Sequence, residues 1–107
     1  MDLILWPPAD AEEGAPDLAR KLTPRGHEQA ARAAAWLRRH LPEQYRLLAS
    51  PAVPAQQTAA PLGAQINTEK TVAPGAAVEA ILKAAAGGGT TILVGHQPDL
   101  GAAIAYL

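Results

Sequence analysis

Three short runs of apolar residues divide the chain, and proline or glycine follows each of them directly or within two residues. The first run covers residues 3–6 and ends at Pro7-Pro8, the second covers residues 47–49 between Arg46 and Ser50, and the third covers residues 92–94 after Thr90-Thr91. Short, continuous apolar runs are typical of strands that are buried on both faces of a parallel sheet. We therefore predict neighbouring parallel strands over residues 2–6, 46–50 and 90–95.

A longer pattern with helical spacing follows the first strand. Thr23-Pro24 is typical of a helix start, because threonine caps the first turn and proline is tolerated at the first helical position. Small apolar residues then recur every three or four positions up to Pro42, which predicts a helix that ends before this proline. Its expected buried face consists of Ala30, Ala33, Ala34, Leu37 and Leu41.

The remaining elements are predicted from shorter signals. Ser50-Pro51 predicts the start of a second helix that ends near Gly63, and residues 77–86 predict a third helix. Asp99 is the expected N-cap of a last helix. Residues 9–22 mix acidic residues, glycine and proline without a period and predict a loop, and Ile66 indicates a minor strand.

Strands that alternate with helices predict an α/β fold with a mainly parallel sheet between two layers of helices, a three-layer α/β/α arrangement. At 107 residues the chain has the length of one domain, so residues 1–107 are expected to form a single unit. Ligands bind such sheets at the carboxyl ends of the strands. The segments Pro7-Pro8, Ser50-Pro51 and Gly95-His96 should therefore meet at one edge.

Composition excludes several classes of function. The formal net charge is −1, which argues against a nucleic-acid or membrane-surface partner. There is no cysteine, and neither a metal-ligand cluster nor a nucleotide-binding glycine loop is visible, so no metal site and no cofactor are predicted. The amino terminus has neither a signal peptide nor a membrane span. These features predict a soluble, cytoplasmic protein.

Four ordered segments carry a resemblance to a known family: LILWPPADA, RKLTPRG, LLASPAVPAQQTA and ILVGHQPDLG. Together they resemble the histidine phosphatase superfamily, whose fold is phosphoglycerate mutase-like, and most of all its short phosphohistidine-phosphatase (SixA) branch. Members of that branch continue past the last segment into further strand and helix. The resemblance therefore predicts a C-terminally truncated form of the fold.

The resemblance also implies the chemistry and the residues that perform it. In the family, a neutral histidine attacks phosphorus while arginines and a second histidine neutralise the phosphoryl oxygens. Here Pro8 stands at the position of the nucleophile, and Pro7 and Pro54 stand at the positions of two clamping arginines. Arg20 and His96 match phosphate-binding residues of the family, and His96 matches its second active-site histidine. Asp10 stands at a position where members of this branch often have an acidic residue. Catalytic candidates are thus His96 and Asp10, and phosphate-binding candidates are Arg20 and His96.

Several functions remain open at this point. The chain is either a SixA-type phosphatase that has lost its activity, a phosphatase that uses other residues, or a non-catalytic module that binds a phosphohistidine-bearing protein. An unrelated nucleotide-binding domain is disfavoured because the glycine loop is missing. The expected partner is a phosphorylated protein or a small phosphoester. The competing interpretations are that Arg20 is an ordinary surface residue and that His96 makes a structural hydrogen bond. His27 and His40 are predicted to be exposed.

Overall fold

The computed structural model describes residues 2–14, 16, 19–70 and 89–95. These residues form four strands, two α-helices and one 3-10 helix. In chain order they are β1 (Asp2–Trp6), α1 (Pro24–His40), β2 (Arg46–Ala49), α2 (Val53–Ala59), the 3-10 helix (Ala60–Leu62), β3 (Asn67–Thr68) and β4 (Thr90–Val94). The helices predicted over residues 77–86 and after Asp99 lie outside the described residues.

The four strands form one sheet in the order β1-β4-β2-β3, and every neighbouring pair is parallel. This confirms the predicted α/β class and the three neighbouring parallel strands, with the β-branched β4 at the centre. The register aligns Val94 with Trp6 on one side and with Ala49 on the other. The residues that follow these three positions consequently start at the same edge of the sheet.

Helix α1 forms as its sequence predicts. The Thr23 hydroxyl accepts a hydrogen bond from the backbone N–H of Gly26 at 2.9 Å, and Pro24 occupies the first turn. At the other end, the Leu41 backbone N–H donates to the Leu37 carbonyl at 2.8 Å, after which Pro42 prevents another turn. Small residues dominate the buried face of α1, so the helix can approach the sheet closely. That face consists of Gly26, Ala30, Ala34 and Leu37.

The main core lies between one face of the sheet and the two helices, which pack together on that face. Alternate residues of the strands supply its sheet side: Trp6, Leu47, Ala49, Ile92 and Val94. The other face of the sheet is buried as well, through Leu3, Leu48, Thr91 and Leu93. Burial on both faces explains why the strands are apolar without alternation. Among the described residues, no helix is long and apolar enough to cross a membrane.

Helix α2 differs from its prediction at its start, whereas the helical segment ends at Gly63 as predicted. It starts at Val53 with Ala52 as its cap, whereas Ser50-Pro51 was the predicted start. The Ser50 hydroxyl is buried and accepts a hydrogen bond from the Ala52 N–H at 3.1 Å, so it closes a turn before the helix. At its other end α2 tightens into the 3-10 helix around Pro61, and Gly63 terminates it with a φ of 78°.

Candidate functional site

The carboxyl ends of β1, β2 and β4 meet at one edge of the sheet, as predicted. The Ser50 backbone N–H donates to the Val94 carbonyl at 2.9 Å, which joins the end of β2 to the end of β4. Pro7 and Pro8 follow β1 directly; Pro7 is exposed and Pro8 is half-buried. Gly95, which follows β4, is buried. This edge is the candidate site.

One buried hydroxyl connects the segment after β1 to helix α2. The Thr58 hydroxyl accepts a hydrogen bond from the Ala9 backbone N–H at 2.9 Å and donates one to the Pro54 carbonyl at 2.7 Å. Pro54 lies in the first turn of α2 and is buried. The structure therefore brings the chain around position 8 and the chain around position 54 together through a single side chain.

Asp10 is exposed and contacts the amino-terminal end of α1. Its carboxylate accepts a hydrogen bond from the Thr23 hydroxyl at 2.7 Å, and its backbone carbonyl accepts one from the Thr23 N–H at 3.0 Å. The Asp10 N–H donates to the side-chain oxygen of Gln29 at 3.0 Å. These bonds give Asp10 a role in fastening the loop to the capped end of α1, a location where negative charge is favourable. The predicted catalytic role of Asp10 remains a prediction.

Gly26 allows this close approach between α1 and the loop. A Cβ atom at Gly26 would overlap the carbonyl oxygen of Asp10 and would lie 3.0 Å from the carbonyl carbon of Asp10. The glycine of the segment RKLTPRG is therefore explained by the absence of space for a side chain.

The loop that carries Arg20 is held on both sides. The Glu12 N–H donates to the Lys21 carbonyl at 2.8 Å, and the Leu22 N–H donates to the side-chain oxygen of Gln57 on α2 at 2.7 Å. Arg20 itself is half-buried, and its Nε atom is buried. Both interpretations of Arg20, as a phosphate-binding residue and as an ordinary surface arginine, stay predictions.

The two histidines of α1 lie on its solvated surface, as predicted. His27 and His40 are exposed, and the His40 ring stacks on Trp36 with 3.9 Å between ring centroids. Arg32 pairs with Glu28 at 3.5 Å on the exposed face. No group of three or more histidine and acidic side chains within the described ranges could hold a metal ion.

His96 follows Gly95 and lies outside the described residues, so its predicted role in binding phosphate stays a prediction. Gln57 and Thr58 make contacts at the site that the sequence did not predict. Both belong to the segment LLASPAVPAQQTA. The available signal was their position one helical turn after Pro54, which places Thr58 within reach of the Pro54 carbonyl.

Comparison with known proteins agrees with this geometry. The sequence profile of the histidine phosphatase superfamily (branch 1) matches residues 9–77. An uncharacterised protein of Mycobacterium tuberculosis is 35% identical over 95 residues, which cover 84% of this chain and 60% of that protein. The chain thus spans about three-fifths of the length of this relative.

Solved structures resemble the chain over nearly all of its length. A protein from Nakamurella multipartitia, assigned as phosphohistidine phosphatase SixA, superposes with a TM-score of 0.84 and 34% identity, covering 95% of this chain and 62% of that one. The protein histidine phosphatase SixA in complex with tungstate superposes with a TM-score of 0.83 and 26% identity, covering 96% of this chain and 74% of that one.

Proposed function

Since the chain belongs to the histidine phosphatase superfamily and has a SixA-type fold, we propose that it is a phosphohistidine phosphatase domain without turnover in its present form. One observation carries this proposal. Pro8 stands at the carboxyl end of β1, where the family has its nucleophile, and the backbone after it is tied to α2 by the Ala9–Thr58 hydrogen bond.

The chemistry of proline explains the loss of turnover. Phosphoryl transfer through a covalent intermediate needs a lone pair on a side-chain nitrogen, and proline has no side-chain nucleophile, donor or charge. Removing the nucleophile of an enzyme commonly costs several orders of magnitude in rate. Pro7 and Pro54 add to this cost, because the phosphoryl oxygens would lack two cationic partners that lower the barrier.

A weak affinity for phosphate is expected to remain. Arg20 and His96 are the candidate binding residues, and the buried Nε atom of Arg20 supports a defined position for its guanidinium. The related SixA structure contains tungstate, which is a tetrahedral oxyanion like phosphate. A charge-assisted hydrogen bond contributes about 1.5–3 kcal/mol before the cost of ordering the ligand, so two such groups give only weak binding.

A second candidate function is a non-catalytic module that binds a phosphohistidine-bearing protein through the same edge. The observation that favours it is the set of hydrogen bonds that joins the backbone beside the candidate site to α2. Thr58 and Gln57 hold the two ends of the loop at Ala9 and Leu22, although proline stands at the nucleophile and clamp positions. Such a network supports the use of this edge as a binding surface.

A reversion series tests the proposed function. The triple variant Pro7→Arg, Pro8→His, Pro54→Arg restores the three groups together. Pro54 lies in the first turn of α2, where backbone N–H groups have no partner within the helix. Replacing this proline therefore breaks no backbone hydrogen bond of α2. We expect near-background turnover of a phosphoester and of a phosphohistidine protein by each single variant, and clear turnover by the triple variant, because the groups act as a unit.

The folding of every variant is checked by circular dichroism. A triple variant that folds but releases no phosphate from either substrate would count against the proposal. Turnover that a single reversion restores in full would contradict the assumed cooperation of the three groups.

A further inference from the structure

We propose that Thr58 is a positioning residue, which sets residue 8 against residue 54 at the candidate site. This inference rests on the proposed function, because it assigns a role within the same site. Thr58 is fully buried in α2 and does not itself face solvent. Its effect on chemistry would therefore act through the two backbone segments that its hydroxyl contacts.

The two hydrogen bonds of Thr58 define the relation between these segments. The hydroxyl has one proton, which it donates to the Pro54 carbonyl at 2.7 Å, and its oxygen accepts the Ala9 N–H at 2.9 Å. The first bond fixes the rotation of the side chain on α2. The second bond then determines where Ala9, and hence the adjoining residue 8, lies relative to α2.

The neighbouring residue Gln57 strengthens this interpretation. Its side-chain oxygen accepts the Leu22 N–H at 2.7 Å, two residues after Arg20. Consecutive residues of α2 therefore hold the beginning and the end of the loop over residues 9–22. Because Gln57 already secures the far end of the loop, loss of the Thr58 hydroxyl should displace mainly the residues that follow β1.

Thr58→Val is the informative change. Valine keeps the shape of threonine but has no hydroxyl, so the Ala9 N–H loses its acceptor. Residue 8 is then no longer held in position relative to α2. A displacement of about 1 Å at reacting groups can reduce turnover about 100-fold. We expect at least a tenfold lower kcat with little change in KM when Thr58→Val is added to the Pro7→Arg, Pro8→His, Pro54→Arg variant. Thr58→Ser keeps the hydroxyl and should restore most of the rate.

Thr91→Val provides a matched control. Thr91 is also fully buried, and its hydroxyl accepts a hydrogen bond from Arg46 at 2.8 Å, but it lies near the amino end of β4, away from the candidate site. A buried hydroxyl is therefore lost in both variants, and only one of them contacts the site. The kcat of the Thr91→Val variant should remain within about twofold of its parent at a temperature where both are folded.

A second measurement does not depend on turnover. In the unmodified chain, the Ala9 amide should exchange with solvent at least tenfold faster in Thr58→Val than in Thr58→Ser, whereas Thr91→Val should leave this exchange close to that of the parent. The proposal is overturned if Ala9 exchange is equal in the two Thr58 variants. It is also overturned if the Thr58→Val and Thr91→Val changes lower kcat equally. Absence of turnover from the triple variant itself counts against the proposed function, whereas the Ala9 exchange still decides whether Thr58 positions the segment.

Discussion

Gly26→Ala tests whether the loop and α1 are as closely packed as the structure indicates. On helix propensity alone, alanine inside a helix is more favourable than glycine by about 1 kcal/mol. The structure predicts the opposite sign. A Cβ at position 26 would overlap the Asp10 carbonyl oxygen and would lie 3.0 Å from the carbonyl carbon, whereas carbon atoms in ordinary contact are about 3.5–4.0 Å apart.

The cost of this overlap can be worked out from the contacts around it. Either α1 or the loop must move, and forced repacking of this kind costs about 1–3 kcal/mol. The same movement weakens the Thr23 N–H bond to the Asp10 carbonyl, which is worth about 1 kcal/mol. After the propensity gain is subtracted, the net expected destabilisation is about 1–3 kcal/mol.

Urea denaturation of both proteins, followed by circular dichroism, measures this difference in the free energy of unfolding. Ala31→Gly is the matched control, because Ala31 is exposed on the same helix and reports the propensity difference without any overlap. It should destabilise the protein by about 1 kcal/mol. A Gly26→Ala protein that is more stable than its parent would refute the packing described here.

Two further predictions concern the cap of α1 and the binding of phosphate. Thr23→Ala removes the hydroxyl that caps α1 by accepting the Gly26 N–H, so it should lower the free energy of unfolding by about 1 kcal/mol. Thr23→Ser keeps a hydroxyl and should recover most of this loss. Equal stability of the two variants in urea denaturation would contradict the capping role. Phosphate should bind weakly in calorimetry, and the Arg20→Ala, His96→Ala double variant should bind it more weakly still; micromolar affinity that this double variant retains would place phosphate at another site.

Much of the fold follows from local sequence signals. The Thr23-Pro24 start of α1 and its small apolar face were predictable because capping and helical spacing act within a few residues. The three neighbouring strands were predictable because sheets buried on both faces require apolar runs. The predicted start of α2 was wrong by a few residues, because Ser50 closes a turn with Ala52 before the helix. Such a turn uses the same residue types as a helix cap.

The candidate site was predictable only in part. Parallel topology brings the strand ends to one edge, and this made the proximity of Pro7-Pro8 and Ser50-Pro51 an expectation. Three contacts were not predictable: Thr58 with Ala9, Gln57 with Leu22, and Gly26 with Asp10. Each connects residues that are between 16 and 49 positions apart in the chain. Such contacts depend on how the loop over residues 9–22 packs against both helices, which no local pattern encodes.

Phosphate release by the unmodified chain from a histidine-phosphorylated protein tests the central claim most directly. The substrate is incubated with increasing concentrations of the chain, and the rate is compared with spontaneous hydrolysis in its absence. Because Pro8 supplies no nucleophile, we predict that the rate is the same at every concentration. Release that rises in proportion to the concentration of the chain, and that the His96→Ala variant lacks, would contradict the account and would mean that this edge of the sheet uses another nucleophile.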